Sequence, residues 1–265
     1  MKLTVIGAGN MGRALIRGFV EGGVLKPSEV YVYDIIEEAA RNVASEYKVN
    51  CSSDPNADVK DSDYVLMAVK PQHFDDTLKG IKDDLGSETV VLSIAAAVTV
   101  SRIKGIIGDR KLVRIMPNTP AQVGSGVSAV CPVGLDPEQT DFVQKLFETC
   151  GIVVVCDEKT LDAIGCVSGT GPAYVMLFIE AMSDAAVSLG IKRADALKIA
   201  AATVAGSGKL CLETGVHPAV LKDQVTSPAG TTIEGVMALE ENGFRNAVIK
   251  SVTAAAEKTA RMQGK

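Results

Sequence analysis

The sequence predicts an α/β fold, a doubly wound parallel sheet, followed by an all-α domain. Three observations carry that expectation. Short β-branched runs alternate with helix-like stretches from Lys2 to about Asp157, the strand candidates are apolar on both faces, and after Asp157 Ala-rich helical text takes over to the end. Strands apolar on both faces and alternating with helices belong to a parallel sheet covered on each side. The boundary is drawn there, giving a sheet domain over 1–157 and a helical domain over 158–265.

Composition narrows the classes of function. With 265 residues, the chain is long enough for two modest domains, each with a real core. A formal net charge of −5 gives no electrostatic footprint for nucleic acid or an anionic membrane, so both partners are discarded. Cys51, Cys131, Cys150, Cys156, Cys166 and Cys211 are scattered without a C-x-x-C pair, and only two histidines exist. No metal site is expected from that set, and the cysteines read as small apolar residues in a reducing cytoplasm. The first strand begins at Lys2, leaving no room for a signal peptide, and the apolar run "AYVMLFIEAMSDAAVSLG" carries Glu180 and Asp184, too polar for a clean membrane span. The expectation is a soluble, cytosolic protein.

The first strand candidate, "KLTVIGAG", runs into a helix candidate, "MGRALIRGFVEGG". Their junction carries G-x-G-x-x-G at Gly7, Gly9 and Gly12. Gly7 permits the tight turn, Gly9 lets backbone N–H groups approach a pyrophosphate, and Gly12 lets the helix pack close to the strand. The helix N-terminus then faces the phosphates. On its own the motif is weak. Here strand, helix and an acidic residue at the end of the next strand fall in place, which predicts a Rossmann-type domain holding a dinucleotide.

That acidic residue is Asp34, closing the strand candidate "VYVYD". A carboxylate there accepts hydrogen bonds from the adenosine ribose and repels a 2′-phosphate, favouring NADH over NADPH. Asp34 also precedes "IIEEAARNVASEY", so a helix-capping aspartate is the competing reading, and Arg41 is at hand for a phosphate. Next comes "YVLMAVK", where Pro71 stops the ladder and leaves Lys70 at the carboxyl edge, facing a ligand or only solvent. After "TVVLSIAAA", the small side chains of Ser93 to Val98 suit a flat nicotinamide or close helix packing. "KLVRIMPN" leads into Asn118 and Thr119, fixed between two prolines and either aimed at a ligand or part of a rigid turn. Strands around "VSAVCP" and "GIVVVC" close the sheet.

In the second half, breaks fall at Gly190, at Gly215 to Pro218 and at Ser227 to Gly230. The helices "PAYVMLFIEAMSDAAVSLG" and "RADALKIAAATVAGSGKLCLE" are apolar around most of their circumference. About a hundred residues have too little bulk to bury both, so they are expected to pack against a second copy of the chain. In "VSGTGPAYV", Pro172 fits a first helical turn with Ser168 or Thr170 as its cap.

Taken together, "IGAGNMG", "AVKP", "MPNTP", "SGTGPAY" and "LKDQVTSPAGTTIEGVMALEENGFR" resemble the pyrroline-5-carboxylate reductases, from Leu3 to the closing helix. The stretch around Ser227 to Thr232 is the most specific. The resemblance implies a Rossmann domain, a helical domain interlocking into a homodimer or a ring of dimers, and reduction of 1-pyrroline-5-carboxylate to L-proline with NADPH or NADH, the last step of proline biosynthesis. It puts the cofactor on Ile6, Gly7, Ala8, Gly9, Asn10 and Met11, on Ala68, Val69, Lys70 and Pro71, and on Ile94, Ala95 and Ala96. It puts the substrate on Thr231 and Thr232. Two departures stand out. Asp34 replaces the small polar residue many members carry, against an NADPH preference. Gly215 and Val216 precede His217 and Pro218 where some members have an acid.

The Ser227 to Thr232 run is small, polar and uncharged, and it opens a helix. Unpaired N–H groups and the positive dipole end there await an anion. Gly230 lets the backbone come close, Pro228 stiffens the loop, and Thr231 and Thr232 add hydroxyl donors. The expected task is a neutral cradle for the substrate carboxylate, with Ser227, Gly230, Thr231, Thr232 and Asn118 as substrate contacts; a self-sufficient cap with Thr232 as capping hydroxyl competes. Hydride would pass to the imine carbon, and the catalytic candidate is Thr232, polarising the ring nitrogen or only binding the carboxylate. Asp223 positions that loop or sits on the surface, and His73 and His217 are expected to be solvated or structural. Other hydroxyacid or imine oxidoreductases of this plan, and a dinucleotide sensor without turnover, remain as rivals.

Overall fold

A computed structural model of the chain describes residues 1–263. They form two compact units, Met1–Gly169 with the stretch from Ala255 onward, and Thr170–Ala254.

The first unit is built on one sheet of eight strands: β1 (Leu3–Ile6), β2 (Val30–Tyr33), β3 (Asn50–Cys51), β4 (Tyr64–Met67), β5 (Val90–Ser93), β6 (Leu112–Met116), β7 (Gly126–Val133) and β8 (Gly151–Val155). Their spatial order is β3-β2-β1-β4-β5-β6-β7-β8. Six strands run parallel, linked by α1 (Asn10–Glu21), α2 (Glu37–Tyr47), α3 (Pro55–Val59), α4 (Pro71–Ile81) and α5 (Val100–Ile107). Every residue of β1, β4 and β5 is buried, the physical origin of their largely apolar text, which Thr4 and Ser93 interrupt. Alternation sorts their side chains between two cores. Leu66 and Leu92 join Leu15, Phe19 and Phe147 on one face, while Val65 and Val91 join Phe74, Leu78 and Ile103 on the other.

All seven expected strands are present, and β3, with two residues, is too short to leave a pattern in the sequence. The closing pair departs from the expected parallel run. Only a short 3₁₀ turn, Thr119–Val123, separates β6 from β7, and a link that short cannot carry a crossover helix, so β7 runs antiparallel to β6. Crossover helix α6 (Pro137–Glu148) then brings β8 parallel to β7.

Helix α7 (Glu158–Ser168) packs against β6 and β7, within the first unit. Beyond it lie α8 (Gly171–Ser188), α9 (Arg193–Thr214), α10 (Pro218–Gln224), α11 (Thr231–Glu241) and α12 (Phe244–Met262). The three expected breaks all fall between helices, with Gly190 and Gly215 in the left-handed region at φ 93° and 63°. Neither expected cap of α8 forms: Ser168 Oγ donates back to Ile164 O, and Thr170 holds the N-cap position in helical geometry without a side-chain cap bond.

Within its unit, α8 buries only Ser183, α9 only Ala196 and Ala200, and α10 and α11 bury nothing. Met176, Leu177 and Met237 are each more than 60% exposed. By length and composition the run Glu158–Ser188, of mean hydropathy 1.3, is apolar enough to cross a membrane. Its first third, however, carries Glu158 and Asp162 in ion pairs to a buried strand residue, Arg114, and α8 holds the charged Glu180 and Asp184.

Candidate active site

Strand order reverses between β1 and β4, and the loops following β1, β4, β5 and β6 meet at one edge of the sheet, where open α/β sheets take ligands. The glycine loop lies in that crevice. Gly7 adopts φ +115° and its N–H donates to Tyr33 O at 2.8 Å, so the loop continues the β1–β2 ladder. A Cβ on Gly7 would meet Ala68 O at 2.6 Å, and one on Gly12 would strike the Gly7 carbonyl oxygen. Gly9 differs: no protein atom lies within 4 Å of where its Cβ would be. It is the N-cap of α1, without a side-chain cap and without an acidic residue in the first turn. The protein itself therefore explains two of the glycines, and the third keeps clear an open, uncapped helix N-terminus of the kind that takes phosphate.

The other cofactor candidates flank this loop. Ile6 is the buried last residue of β1, and Ala68 N–H donates to its carbonyl at 2.8 Å. Ala68 and Val69 are partly buried, and exposed Lys70 is the N-cap of α4 with Pro71 as its first residue, again without a side-chain cap. Ile94 N–H donates to Met67 O, bringing Ile94, Ala95 and Ala96 beside the β4 loop. This segment turns on Ala97, a non-glycine at φ +60°, a conformation that costs energy and tends to persist where a site requires it. Asn10 is exposed and Met11 half-buried at the start of α1.

Asp34 does not cap α2, whose N-cap is Ile36. Its carboxylate accepts from Ala8 N–H through Oδ2 at 2.7 Å and from Ile36 N–H through Oδ1 at 2.9 Å. Around it stand Glu37 and Glu38 in the first turn of α2, and Arg41 is tied to Glu37 at 2.5 Å.

At the end of β6 the structure gives Asn118 a supporting task. It is 7% exposed, its Oδ1 accepts from Val127 N–H at 2.8 Å, and its Nδ2 donates to Ser168 O at 2.9 Å. Its amide thus pins the start of β7 and the end of α7. Deeper in β6, Arg114 is 1% exposed and binds Glu158 Oε1 at 2.9 Å and Asp162 Oδ1 at 2.7 Å. Glu158 Oε1 also accepts from Val100 N–H, and Gln263 Nε2 donates to Asp162. Sequence reading missed this network, because its members lie 44 and 48 residues apart from Arg114.

The Ser227 to Thr232 stretch belongs to the second unit. Gly230 N–H donates to Ser227 O at 3.0 Å, closing a turn with Pro228 and Ala229 at its centre, and Ala229 sits at φ +55°. These are the φ signs of a type II turn, which normally demands glycine where Ala229 stands. A Cβ on Gly230 would collide with Ser227 Oγ. Gly230 is the N-cap of α11, so Thr231 and Thr232 occupy the first two helical positions, both exposed, and no side chain caps the helix. The alternative of Thr232 as capping hydroxyl is thereby removed. A side-chain cap opens α3, α5, α6, α7 and α10, whereas α2, α4, α8 and α9 also lack one but have Ile36, Lys70, Thr170 and Lys192, not glycine, at the N-cap.

His217 caps α10 through Nδ1, accepting from Ala219 N–H, and exposed His73 lies in the first turn of α4. Asp223, in α10, pairs with its neighbour Lys222 at the surface. Of the cysteines, Cys131, Cys150 and Cys166 are buried. Burial, reinforced by Glu158, pushes the Cys131 thiol up to about 11, in keeping with an apolar packing residue.

A family model described as pyrroline-5-carboxylate reductase dimerisation matches residues 158–262, and one described as NADP oxidoreductase, coenzyme F420-dependent, matches 2–97. A pyrroline-5-carboxylate reductase of Escherichia coli is 42% identical over 263 residues, 98% of either chain. The chain belongs to the pyrroline-5-carboxylate reductase family. Among solved members of that family, the Coxiella burnetii reductase superposes with TM-score 0.92 at 31% identity, covering 98% of both chains. A Plasmodium falciparum member, solved with NADP bound, superposes with TM-score 0.89 at 31% identity over 99% of this chain and 98% of its own.

Proposed function

We propose that this chain reduces 1-pyrroline-5-carboxylate to L-proline with hydride from NAD(P)H, in the cytoplasm and as a homodimer or a ring of dimers. The observation that carries the reading is a pair of helices in a chain of this family whose N-cap is a glycine, Gly9 and Gly230, so that no side chain covers their first amides. Each offers unpaired backbone donors to an anion: the first to a pyrophosphate, the second to a carboxylate. The functional division follows the boundary at 157/158, with nucleotide contacts before it and dimer contacts after it.

On this reading the loop residues Gly7 to Gly12, Ala68 to Pro71 and Ile94 to Ala96 bind the dinucleotide. Asp34, with Glu37 and Glu38 beside it and Arg41 already paired, makes the adenosine end hostile to a 2′-phosphate, so NADH is the preferred donor. When bound, the nicotinamide supplies the hydride. Ser227, Gly230, Thr231 and Thr232 hold the substrate carboxylate and orient the ring, and the Thr232 hydroxyl donates toward the ring nitrogen or the carboxylate. A protonated imine is already electrophilic, so orientation accounts for the main rate gain. Asn118, beside any contact with substrate, fixes the start of β7 and the end of α7 through its amide.

The test is oxidation of NADH and of NADPH, measured side by side, on adding the cyclic imine. Turnover with a higher kcat/KM for NADH is expected. Nucleotide binding without turnover would replace the reductase reading with that of a sensor, and a preference for NADPH would remove the role given to the Asp34 charge.

A further inference from the structure

We propose that Asp34 is a positioning residue whose carboxylate holds the glycine loop in its phosphate-binding form, independently of any contact with the adenosine ribose. This rests on the dinucleotide reading of the crevice.

The two carboxylate oxygens divide their work between two backbone amides. Oδ2 takes Ala8 N–H at 2.7 Å and Oδ1 takes Ile36 N–H at 2.9 Å, across 26 and 2 residues of sequence. Both are charge-assisted bonds, roughly twice as strong as neutral ones. Ala8 is 7% exposed, so without the carboxylate its N–H would be a buried donor with no acceptor. The backbone on either side has little freedom to compensate. Gly7 is fixed by its bond to Tyr33 O and by its approach to Ala68, and Gly9 begins α1, accepting Arg13 N–H at 2.9 Å. Between these two fixed points only the Ala8 peptide can turn, and turning it redirects the chain leading into the uncapped amides of α1. The Asp34 carboxylate is the contact that holds it.

Nicotinamide mononucleotide in its reduced form, NMNH, separates this role from ribose recognition, because it keeps a phosphate and lacks the adenosine. Its Kd is measured by fluorescence for the native protein, D34N and D34S, together with hydrogen exchange of the Ala8 amide in the free proteins. Losing a bond to a charged acceptor predicts about tenfold weaker NMNH binding and faster Ala8 exchange in D34S. D34N falls between, since its single Oδ1 accepts one of the two amides. The NADPH-to-NADH preference, which follows charge, rises equally in both variants. Native NMNH affinity with unchanged Ala8 exchange in D34S overturns the positioning role while leaving the nucleotide site standing; should D34S not fold, the same result in D34N does so. Failure of the native protein to bind NADH would instead remove the nucleotide reading itself.

Discussion

Gly9 has no neighbour where a side chain would go, whereas Gly7 and Gly12 are pressed against backbone. Gly7 and Gly12 are thus required by the fold, and Gly9 is left for the ligand proposed above; the three-glycine spacing made the turn legible, although the Ala68 backbone that Gly7 meets lies far along the sequence. Ala97 and Ala229 were not legible: nothing in an alanine announces a positive φ, here +60° and +55°. Such strain is retained where surrounding structure over-determines it. At Thr232, exposed in the second position of α11, the hydroxyl has no capping duty to lose. Thr232→Ala should lower kcat/KM for the imine about tenfold, the worth of one hydrogen bond to a charged group, while leaving the Kd for NADH unchanged. Steady-state kinetics with a parallel nucleotide titration would decide it, and wild-type values would take Thr232 out of the site.

Among the elements, the parallel strands and their helices could be read in order because buried strands are apolar on both faces and each link is long enough for a helix. The reversal at β7 follows from a nine-residue spacing between Met116 and Gly126, filled by a 3₁₀ turn. The attachment of α7 could not be read. It depends on Arg114 of β6 meeting Glu158 and Asp162 of α7, and charges so far apart in sequence announce no pairing. Arg114→Leu should destabilise the protein by about 3 kcal/mol, since removing one partner strands the carboxylates, with Glu158, 32% exposed, softening the loss through water. Urea unfolding of Arg114→Leu would measure this. Combining it with Glu158→Gln and Asp162→Asn should restore part of the lost midpoint, and a purely steric effect would show no such recovery.

At the scale of the whole molecule, the sequence expectation that the helical region needs a second copy came from helices apolar around most of their circumference. The structure gives that expectation its physical content, because α8 buries one side chain within its unit and α10 and α11 bury none. A glutamate at Leu177, 67% exposed on α8, should therefore produce monomers in sedimentation velocity, and an unshifted dimer would exclude that face from the interface. The bare helices also bear on how the chain matures. The sheet unit carries its own cores and can form in a first-order step, but helices that bury so little within their own chain gain most of their ordering energy on collision with another. Maturation should thus end in a bimolecular step, slow in dilute solution and rapid in a crowded one, with a finished nucleotide crevice waiting on a late partner.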